Sequence, residues 1–324
     1  VEGLVLMAYA WLKQLAVAAL VSCWLVGGAA AAGWPRTFTN VDGSQTVIAD
    51  MPKRILSTSV TVTGTLLAIE APVVASATAT NGHYFAQWSD VAQQRGVKKL
   101  WPAGSVDLEL AYVLAPDLIV IAAGGADSAL AQRAELQQIA PTIVVDYGGQ
   151  TWQSLARLLA EASGLEQQAA QHLAAFDAYL AQSRAKIQPP SGLANIISYN
   201  GPGAPNPVAT ADGVHGQLLS ALGFELEAPS PEWQSGAAAT SDFVRSQYEH
   251  LTLLKAPTTF LLGVGDERAQ AFLRDPMLVN LPAVKSQHVF GLGENSFRVD
   301  FFSARQIVDN IVRRFGTAAT AVSP

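Results

Sequence analysis

Residues 165–190 read LEQQAAQHLAAFDAYLAQSRAKIQPP, and this stretch decides how the rest of the chain is organised. The pattern predicts an amphipathic helix, because the small and apolar residues recur at steps of three and four and therefore share one face. Those positions are Leu165, Ala169, Leu173, Phe176, Leu180, Ser183 and Ile187. Pro189-Pro190 ends the helix, which at a rise of about 1.5 Å per residue is about 30 Å long. One rod of this length between two lobes predicts a cleft at their interface, where small ligands usually bind.

The sequence on either side of this helix alternates between short apolar runs and helical patterns. Leu118–Ala122 (LIVIA) is typical of a strand that is covered on both faces of a parallel sheet. The alternation predicts an α/β fold with two Rossmann-like lobes. We expect a first lobe over residues 33–163, the connecting helix over 164–188, a second lobe over 189–318 and a disordered tail over 319–324. Further predictions are a helix over Ser128–Ile139 and loops over Gly201–Pro207 and Ala228–Asp242.

Composition limits the classes of partner. The chain has 324 residues, 50% of them hydrophobic and 14% charged, which is enough for two domains with large cores. The net charge of −6 disfavours nucleic acid and anionic lipid surfaces. An anionic small molecule would therefore need a local cluster of Lys and Arg.

The N-terminus resembles a secretory signal. Lys13 precedes an apolar run over Leu15–Val26, and the small residues Ala29–Ala32 follow. We expect a cleavable signal peptide over residues 1–32 and a secreted protein; the family resemblance described below implies the periplasm as its location. The alternatives are a membrane anchor and lipid attachment through Cys23, the single cysteine. Cleavage near residue 32 leaves a mature chain that can form no disulfide.

Motifs for several enzyme classes are missing from the sequence. It contains no G-x-S-x-G elbow and no phosphate-binding loop of the Walker type, and the turns Gly263–Gly265 and Gly291–Gly293 lack the third glycine of a dinucleotide site. The five histidines show no metal-ligand spacing. We therefore predict no catalytic residues and no metal site made by the protein itself.

The segment Gly293–Ser303 (GENSFRVDFFS) is the strongest candidate for a binding loop, because it leads from the last strand into the last helix. Arg298 is flanked by aromatic residues, and a planar cation suits an anionic oxygen ligand or an aromatic face. The alternative is that Arg298 pairs with Asp300 or Glu294.

Weaker candidates for the cleft combine cations, aromatic rings and amides near the ends of predicted strands. They are Lys99 and Trp101, His83 and Tyr84, and Tyr199 and Asn200. Lys98–Trp101 could equally be a solvated face. Glu109 lies on a predicted helix, and Glu249 completes a Ser-x-x-Glu pattern that a capping box alone would explain.

Several stretches together resemble one family, the periplasmic binding proteins for ferric siderophores and cobalamin, and within it the branch that binds ferric enterobactin. The resemblance runs from about Trp34 to Phe315. Its specific parts are Trp34–Arg36, Arg54–Gly64, Pro116–Ile119, Asp127–Ala131, Ile139–Thr142, Trp152–Leu155 and Phe297–Ala304. The loop around Thr80-Asn81 is shorter than in that branch, and an aromatic residue expected near Ala209 is absent.

The resemblance implies a class III periplasmic binding protein of the helical-backbone type, with limited hinge motion and no catalysis. It implies delivery of the ligand to an inner-membrane ATP-driven permease. Glu109 and Glu249 match the carboxylates that dock to basic residues of that permease. Arg298 matches the arginine of the final cleft loop, and Lys99 and Trp101 fall beside the basic and aromatic pair on the first-lobe rim.

The sequence therefore predicts a monomeric receptor for a ferric siderophore of the catecholate class, with the Fe³⁺ chelate as ligand and no intrinsic cofactor. Ferric tris-catecholate carries three negative charges and aromatic edges, and its iron needs no protein ligand. Another iron chelate, citrate, heme and cobalamin remain alternatives. So do an α/β metal-dependent enzyme and a direct receptor for a metal ion.

Overall fold

The computed structural model describes residues 33–236 and 241–317. The predicted signal peptide over residues 1–32, with Cys23 inside it, lies outside the described residues. The predicted tail over 319–324 does so as well.

The first lobe is built on a parallel sheet. Its strands are β3 (Ile55–Ser57), β4 (Val73–Thr78), β5 (Lys98–Pro102), β6 (Leu118–Ala122) and β7 (Thr142–Val145). They lie in the order β5-β4-β3-β6-β7. Every residue of β6 is buried, because helices cover both faces of the sheet. An antiparallel hairpin, β1 (Arg36–Thr39) and β2 (Gln45–Ile48), joins this lobe through the Thr46 hydroxyl, which donates to the Thr142 carbonyl at 2.8 Å.

Polar side chains cap three of the five α-helices of the first lobe. The helices are α1 (Val60–Ala68), α2 (Ala86–Gln94), α3 (Leu108–Val113), α4 (Arg133–Leu136) and α5 (Trp152–Ser163). The side chains of Ser59, Asp107 and Thr151 each accept a hydrogen bond from a backbone N–H in the first turn of α1, α3 and α5. These caps fix where each strand-to-helix loop ends and so shape the edge of the sheet that faces the second lobe.

The second lobe has a mixed sheet. Its strands are β8 (Leu193–Ile197), β9 (Asn206–Ala209), β10 (Glu225–Leu226), β11 (Phe243–Ser246), β12 (Thr258–Leu261) and β13 (Val289–Gly291). The order is β11-β9-β8-β12-β13, with β10 paired to β8. Its helices are α7 (Val214–Ala221), α8 (Asp266–Leu273), α9 (Pro282–Lys285) and α10 (Phe301–Phe315).

The five-strand paths of the two sheets correspond. In each path, the first strand in chain order is central, the second lies beside it and the third lies at an edge: β3, β4 and β5 in the first lobe, and β8, β9 and β11 in the second, where β10 lies off the path. The second lobe departs from the first in β9, which is antiparallel to both β8 and β11. The loops that follow β5 and β11 therefore occupy equivalent places in the two lobes.

The connecting helix is confirmed as α6 (Glu166–Lys186), which begins just after Gly164 ends α5 in a left-handed conformation with φ of 74°. The predicted apolar face is buried at Ala169, Leu173, Phe176 and Ser183. One continuous cluster of buried side chains runs from α1 through α6 into the second-lobe sheet and α10. Because α10 also packs on α1 and α2, the lobes are joined by shared core as well as by the rod.

Two local predictions were wrong. The helix expected over Ser128–Ile139 is a 3₁₀ turn over Leu130–Gln132 followed by the single turn of α4. The predicted loop Gly201–Pro207 ends in strand β9, which pairs with β11, a strand distant in the chain, and that pairing leaves no local pattern in the sequence. Lys98–Trp101, interpreted as a binding rim or a solvated face, lies in strand β5 with both lysines exposed.

Candidate functional site

A cleft of about 700 Å³ lies between the two lobes. Its walls are formed mainly by loops that follow strands and by the first turns of helices, which is the usual place for ligands in open α/β sheets. The first lobe contributes Thr61, Thr65, Phe85, Tyr147, Gly148, Gln150, Trp152 and Leu155. The second lobe contributes a larger set that includes three arginines.

The three arginines are Arg245, Arg268 and Arg298, and each comes from a different element. Arg245 lies on β11, Arg268 in the first turn of α8, and Arg298 in the loop between β13 and α10. All three are exposed to solvent. Within residues 33–236 and 241–317, none of them forms an ion pair with a carboxylate. The cleft therefore holds a concentration of positive charge in a protein whose net charge is −6.

Aromatic rings hold Arg298. Its guanidinium carbon lies 5.8 Å from the centre of the Tyr147 ring, across the cleft, and 5.5 Å from that of Phe297. Phe297 in turn stacks on Phe243, with ring centres 6.2 Å apart. Contacts with ring faces orient a guanidinium but leave its N–H groups free to donate. Arg298 is therefore placed to form hydrogen bonds with an anion in the cleft.

Hydrogen bonds to neighbouring elements hold the loop that carries Arg298. The Ser303 hydroxyl donates to the Arg298 carbonyl at 2.7 Å, and the buried His215 Nε2 donates to the Ser296 carbonyl at 2.8 Å. The Ser296 hydroxyl accepts from the Gly263 N–H at 2.9 Å, which ties the loop to the end of β12. Burial lowers the pKa of His215 below its ordinary value, so its imidazole is neutral near pH 7.

Asp300 caps the last helix and does not pair with Arg298. Its carboxylate accepts the N–H groups of Phe302 and Ser303, both at 2.9 Å, and the side-chain amide of Gln87 at 3.2 Å. Burial raises the pKa of Asp300, although these hydrogen bonds oppose the shift. Gln87 belongs to the first lobe, so this cap also joins the lobes beneath the cleft.

Tyr147 is anchored in the first-lobe wall through Asp127. The Tyr147 hydroxyl donates to the Asp127 carboxylate at 3.1 Å. That carboxylate also accepts the Ser59 hydroxyl at 2.6 Å and the Thr61 N–H at 3.0 Å. Burial, reinforced by Asp127, raises the pKa of Tyr147 above its ordinary value. Tyr147 thus presents a neutral ring to the cleft.

Of the predicted ligand-binding residues, Arg298, Tyr199 and Asn200 line the cleft. The Tyr199 hydroxyl donates to Asp275, so its ring rather than its hydroxyl is available at the wall. The Asn200 amide donates to the Pro205 carbonyl at 2.7 Å, within its own loop.

The structure does not bring the other four predicted residues to the cleft. Trp101 is buried in a first-lobe core cluster, and Tyr84 is buried with its hydroxyl donating to the Val97 carbonyl at 3.2 Å. Lys99 and His83 are exposed, and neither lines the cleft. The Lys99 ammonium instead donates to the Gly82 carbonyl at 3.0 Å and lies over the Tyr84 ring. The Lys99 ammonium and the Tyr84 ring therefore contact each other at the edge of the first-lobe sheet, beside β5.

Glu109 and Glu249 are exposed, one on each lobe, and neither lines the cleft. Glu109 lies in the first turn of α3, after β5, and Glu249 in a 3₁₀ helix over Tyr248–Leu253, after β11. The capping explanation for Glu249 was wrong, because Gln247 and His250 form the cap of that helix. Within the described part of the chain, neither glutamate side chain accepts a hydrogen bond or forms an ion pair.

Sequence reasoning missed Arg245 and Arg268. Arg268 stands in the charged run Asp266-Glu267-Arg268, which is typical of a solvated helix start, and Arg245 follows the predicted loop Ala228–Asp242. No local signal distinguishes them from surface arginines. Their convergence depends on the pairing of β11 with β9, so only the assembled second lobe shows it.

Among residues 33–236 and 241–317, no group of three or more His, Cys, Asp or Glu side chains is arranged to hold a metal ion. None of the helices in these ranges has both the length and the apolar character of a membrane span.

Comparison with known proteins identifies the family. Residues 55–296 match the family described as "Periplasmic binding protein". The ferric enterobactin-binding periplasmic protein FepB of Escherichia coli O6:H1 (strain CFT073) is 37% identical over 312 residues, covering 92% of this chain and 97% of FepB. The crystal structure of holo-ViuP superposes with a TM-score of 0.85 at 56% identity, covering 90% of this chain and 99% of ViuP.

A more distant structure supports the fold alone. Staphylococcus aureus SirA complexed with staphyloferrin B superposes with a TM-score of 0.63 at 18% identity, covering 86% of this chain and 96% of SirA. The expected two-lobed α/β architecture is thereby confirmed, and the family match together with FepB confirms the expected non-enzymatic role. This chain belongs to the periplasmic binding protein family, whose members bind a transported substrate without transforming it.

Proposed function

We propose that this protein binds a ferric siderophore of the anionic catecholate class in the cleft and delivers it to an inner-membrane ABC permease. The observation that carries the proposal is the convergence of Arg245, Arg268 and Arg298, free of carboxylate partners in the described residues, on one cleft. Charge-assisted hydrogen bonds from guanidinium groups are among the strongest contacts to oxyanions.

The other wall suits the same ligand. Phe85, Tyr147 and Trp152 give the first-lobe side an aromatic character, and catecholate rings expose aromatic edges that pack on such faces. The volume of about 700 Å³ lies within the range for small-molecule sites, about 300–1,000 Å³. The name of FepB, a ferric enterobactin-binding relative, supports the same class of ligand.

Titration of tryptophan fluorescence tests the ligand class, because Trp152 lines the cleft. Ferric enterobactin, with three negative charges, is expected to quench saturably and more tightly than ferrichrome, an uncharged hydroxamate chelate. Ferric citrate, hemin and cobalamin complete the panel, and iron-free enterobactin controls for stacking alone. Tighter binding of ferrichrome or cobalamin than of ferric enterobactin would contradict the catecholate assignment.

Delivery is proposed to depend on Glu109 and Glu249, which follow the equivalent edge strands β5 and β11 of the two lobes. Exposed carboxylates without partners suit basic side chains on a docking surface. The double variant Glu109→Gln/Glu249→Gln should keep its ligand affinity within about twofold and lower siderophore-dependent iron uptake by about tenfold or more, if each contact contributes about 1 kcal/mol.

The matched control is Glu161→Gln/Glu225→Gln, which removes one exposed carboxylate from each side of the connecting helix. It should leave both affinity and uptake unchanged. Equal loss of uptake in the two double variants would assign the effect to net charge, and a parallel loss of affinity would assign the glutamates to ligand binding.

A further inference from the structure

Asp275 lies just beyond the end of α8 and is a buried carboxylate that belongs to no ion pair in the described chain. One of its oxygens accepts the Tyr199 hydroxyl. The other accepts the Tyr248 hydroxyl and the Met277 N–H, the latter at 2.9 Å. Burial acts to raise the pKa of Asp275, but these three hydrogen bonds together hold it below its ordinary value.

The two tyrosines that share this carboxylate come from different parts of the second lobe. Tyr199 follows β8 and lines the cleft. Tyr248 does not line the cleft, and it is the first residue of the 3₁₀ helix whose next residue is Glu249. A single buried group therefore joins the ligand wall to the segment proposed to dock with the permease.

The cleft end of this connection is held firmly. The Tyr199 ring packs edge-on against Phe272, with centres 5.0 Å apart and planes at 77°. Phe272 and Arg268 lie one turn apart on α8. A ligand that contacts Arg268 would thus restrain α8, the helix that leads to Asp275. A ligand that contacts the Tyr199 ring would restrain one of the three hydrogen-bond donors to the Asp275 carboxylate.

The surface end is the less stable part. The helix Tyr248–Leu253 has 3₁₀ geometry, whose hydrogen bonds are poorer than those of an α-helix. Its attachment includes the Tyr248 hydroxyl, and Tyr248, Leu251 and Leu254 pack in the second-lobe core. Restraint of Asp275 should therefore reduce local opening of this helix, a form of coupling that needs no large displacement.

We infer that Asp275 is a positioning residue that couples occupancy of the cleft to the order of the Tyr248–Leu253 helix, through the hydroxyls of Tyr199 and Tyr248. The inference rests on the proposed function, because it takes an anionic ferric chelate as the occupant. Its consequence is that the docking surface around Glu249 differs in mobility between the empty and the loaded protein.

Hydrogen–deuterium exchange measured by mass spectrometry tests the coupling on the intact protein. Saturating ferric enterobactin should slow exchange in peptides covering residues 247–254 at least threefold. Tyr248→Phe keeps the ring in the core and removes only the hydroxyl, so affinity should stay within twofold of the wild type while the ligand-induced slowing disappears. If Tyr248 had only a structural role, ferric enterobactin would still slow hydrogen exchange in these peptides of the variant.

Tyr179→Phe is the matched control. The Tyr179 hydroxyl also donates to a carboxylate, Asp309 on α10, and Tyr179 does not line the cleft. This variant should bind ferric enterobactin and slow the 247–254 peptides as the wild type does.

The outcomes separate the two proposals. If fluorescence quenching shows ferric enterobactin bound to the wild type but the peptides do not slow, or if slowing persists in Tyr248→Phe, the coupling is overturned and the proposed function stands. If neither ferric enterobactin nor any other ferric chelate quenches the wild type, the proposed function fails and the coupling fails with it.

Discussion

The two walls of the cleft differ in charge. Tyr147 is the one titratable residue among the described lining residues of the first-lobe wall, which otherwise presents hydroxyl, amide and aromatic groups. The second-lobe wall carries Arg245, Arg268 and Arg298 together with Asp242 and the buried Asp300. Positive charge is therefore supplied by one lobe, and most of the opposing aromatic surface by the other.

Because the positive charge lies on one lobe, the cationic surface of the cleft does not depend on the position of the other lobe. The three arginines come from elements of one lobe, so their spacing does not depend on the angle between lobes. The first-lobe wall adds shape and ring contacts, including the Tyr147 ring against Arg298. The connecting helix and the shared core through α10 suit a receptor whose walls are already formed when the ligand arrives.

Removal of the positive wall should have the largest effect. Arg298→Gln alone should lower the affinity for ferric enterobactin at least about fivefold, since a hydrogen bond to a charged group contributes about 1 kcal/mol or more. The triple variant Arg245→Gln/Arg268→Gln/Arg298→Gln should lower it at least about 100-fold if the contributions add. Fluorescence titration measures both, and raising the salt concentration should weaken binding to the wild type more than to the triple variant.

Arg274→Gln provides the control for this experiment. Arg274 is exposed at the end of α8, the helix that carries Arg268, and it does not line the cleft. Its replacement removes the same charge and should change affinity less than twofold. A loss as large as that of Arg298→Gln would mean that the general field of the second lobe, rather than contact, holds the ligand.

The parts of the molecule also differ in how well their structure could be predicted from the sequence. Leu118–Ala122 and the connecting helix were predicted almost to the residue, because burial on both faces or on one face leaves a periodic pattern in the chain. Arg298 could be singled out because its loop leads from the last strand into the last helix and because aromatic residues flank it. Lys99 and Trp101 lie outside the cleft lining, and the sequence could not show this, because a cation beside an aromatic residue has the same local pattern at a sheet edge as in a cleft.

Contact between the lobes beneath the cleft should be sensitive to one added methyl group. A Cβ atom at Gly64 in α1 would lie 2.5 Å from an Asp300 carboxylate oxygen and 2.9 Å from the Trp88 ring. Gly64→Ala should therefore lower the free energy of unfolding by about 1–3 kcal/mol, as overpacking of a core does. The control is Gly124→Ala, because a Cβ atom at Gly124 would have no atom within 4 Å, and it should change the free energy of unfolding by less than about 0.5 kcal/mol. Urea titration measures both variants.

This substitution tests whether the walls behave as one unit. If Gly64→Ala lowers stability and also weakens ligand binding, the packing of α1 on the cap of α10 sets the width of the cleft. If stability is unchanged, the close approach of the two lobes at Asp300 is not maintained in solution.

Tyr147 separates the role of a ring from that of a hydroxyl in the first-lobe wall. Tyr147→Ala should lower ferric enterobactin affinity about two- to fivefold, because an exposed cation–π contact contributes about 0.5–1 kcal/mol. Tyr147→Phe keeps the ring beside Arg298 and loses only the bond to Asp127, so its affinity should stay within about twofold. Equal losses in the two variants would show that the hydroxyl, and not the ring, matters to the ligand.

The smallest expected effect concerns the neutral imidazole beneath the charged wall. Burial lowers the pKa of His215 from its ordinary 6.5, although Asp242 and the Ser296 carbonyl oppose the shift. As pH falls through 6.5, the unfolded chain therefore binds a proton that the folded chain does not, so stability should fall with pH, by at most about 1.4 kcal/mol per pH unit for one proton. His215→Gln can still donate to the Ser296 carbonyl but does not titrate, and urea titrations at pH 7, 6 and 5 should give it a shallower slope. Parallel slopes for the two proteins would mean that His215 takes up a proton in the folded state, which would add a cation to the wall that already carries Arg298.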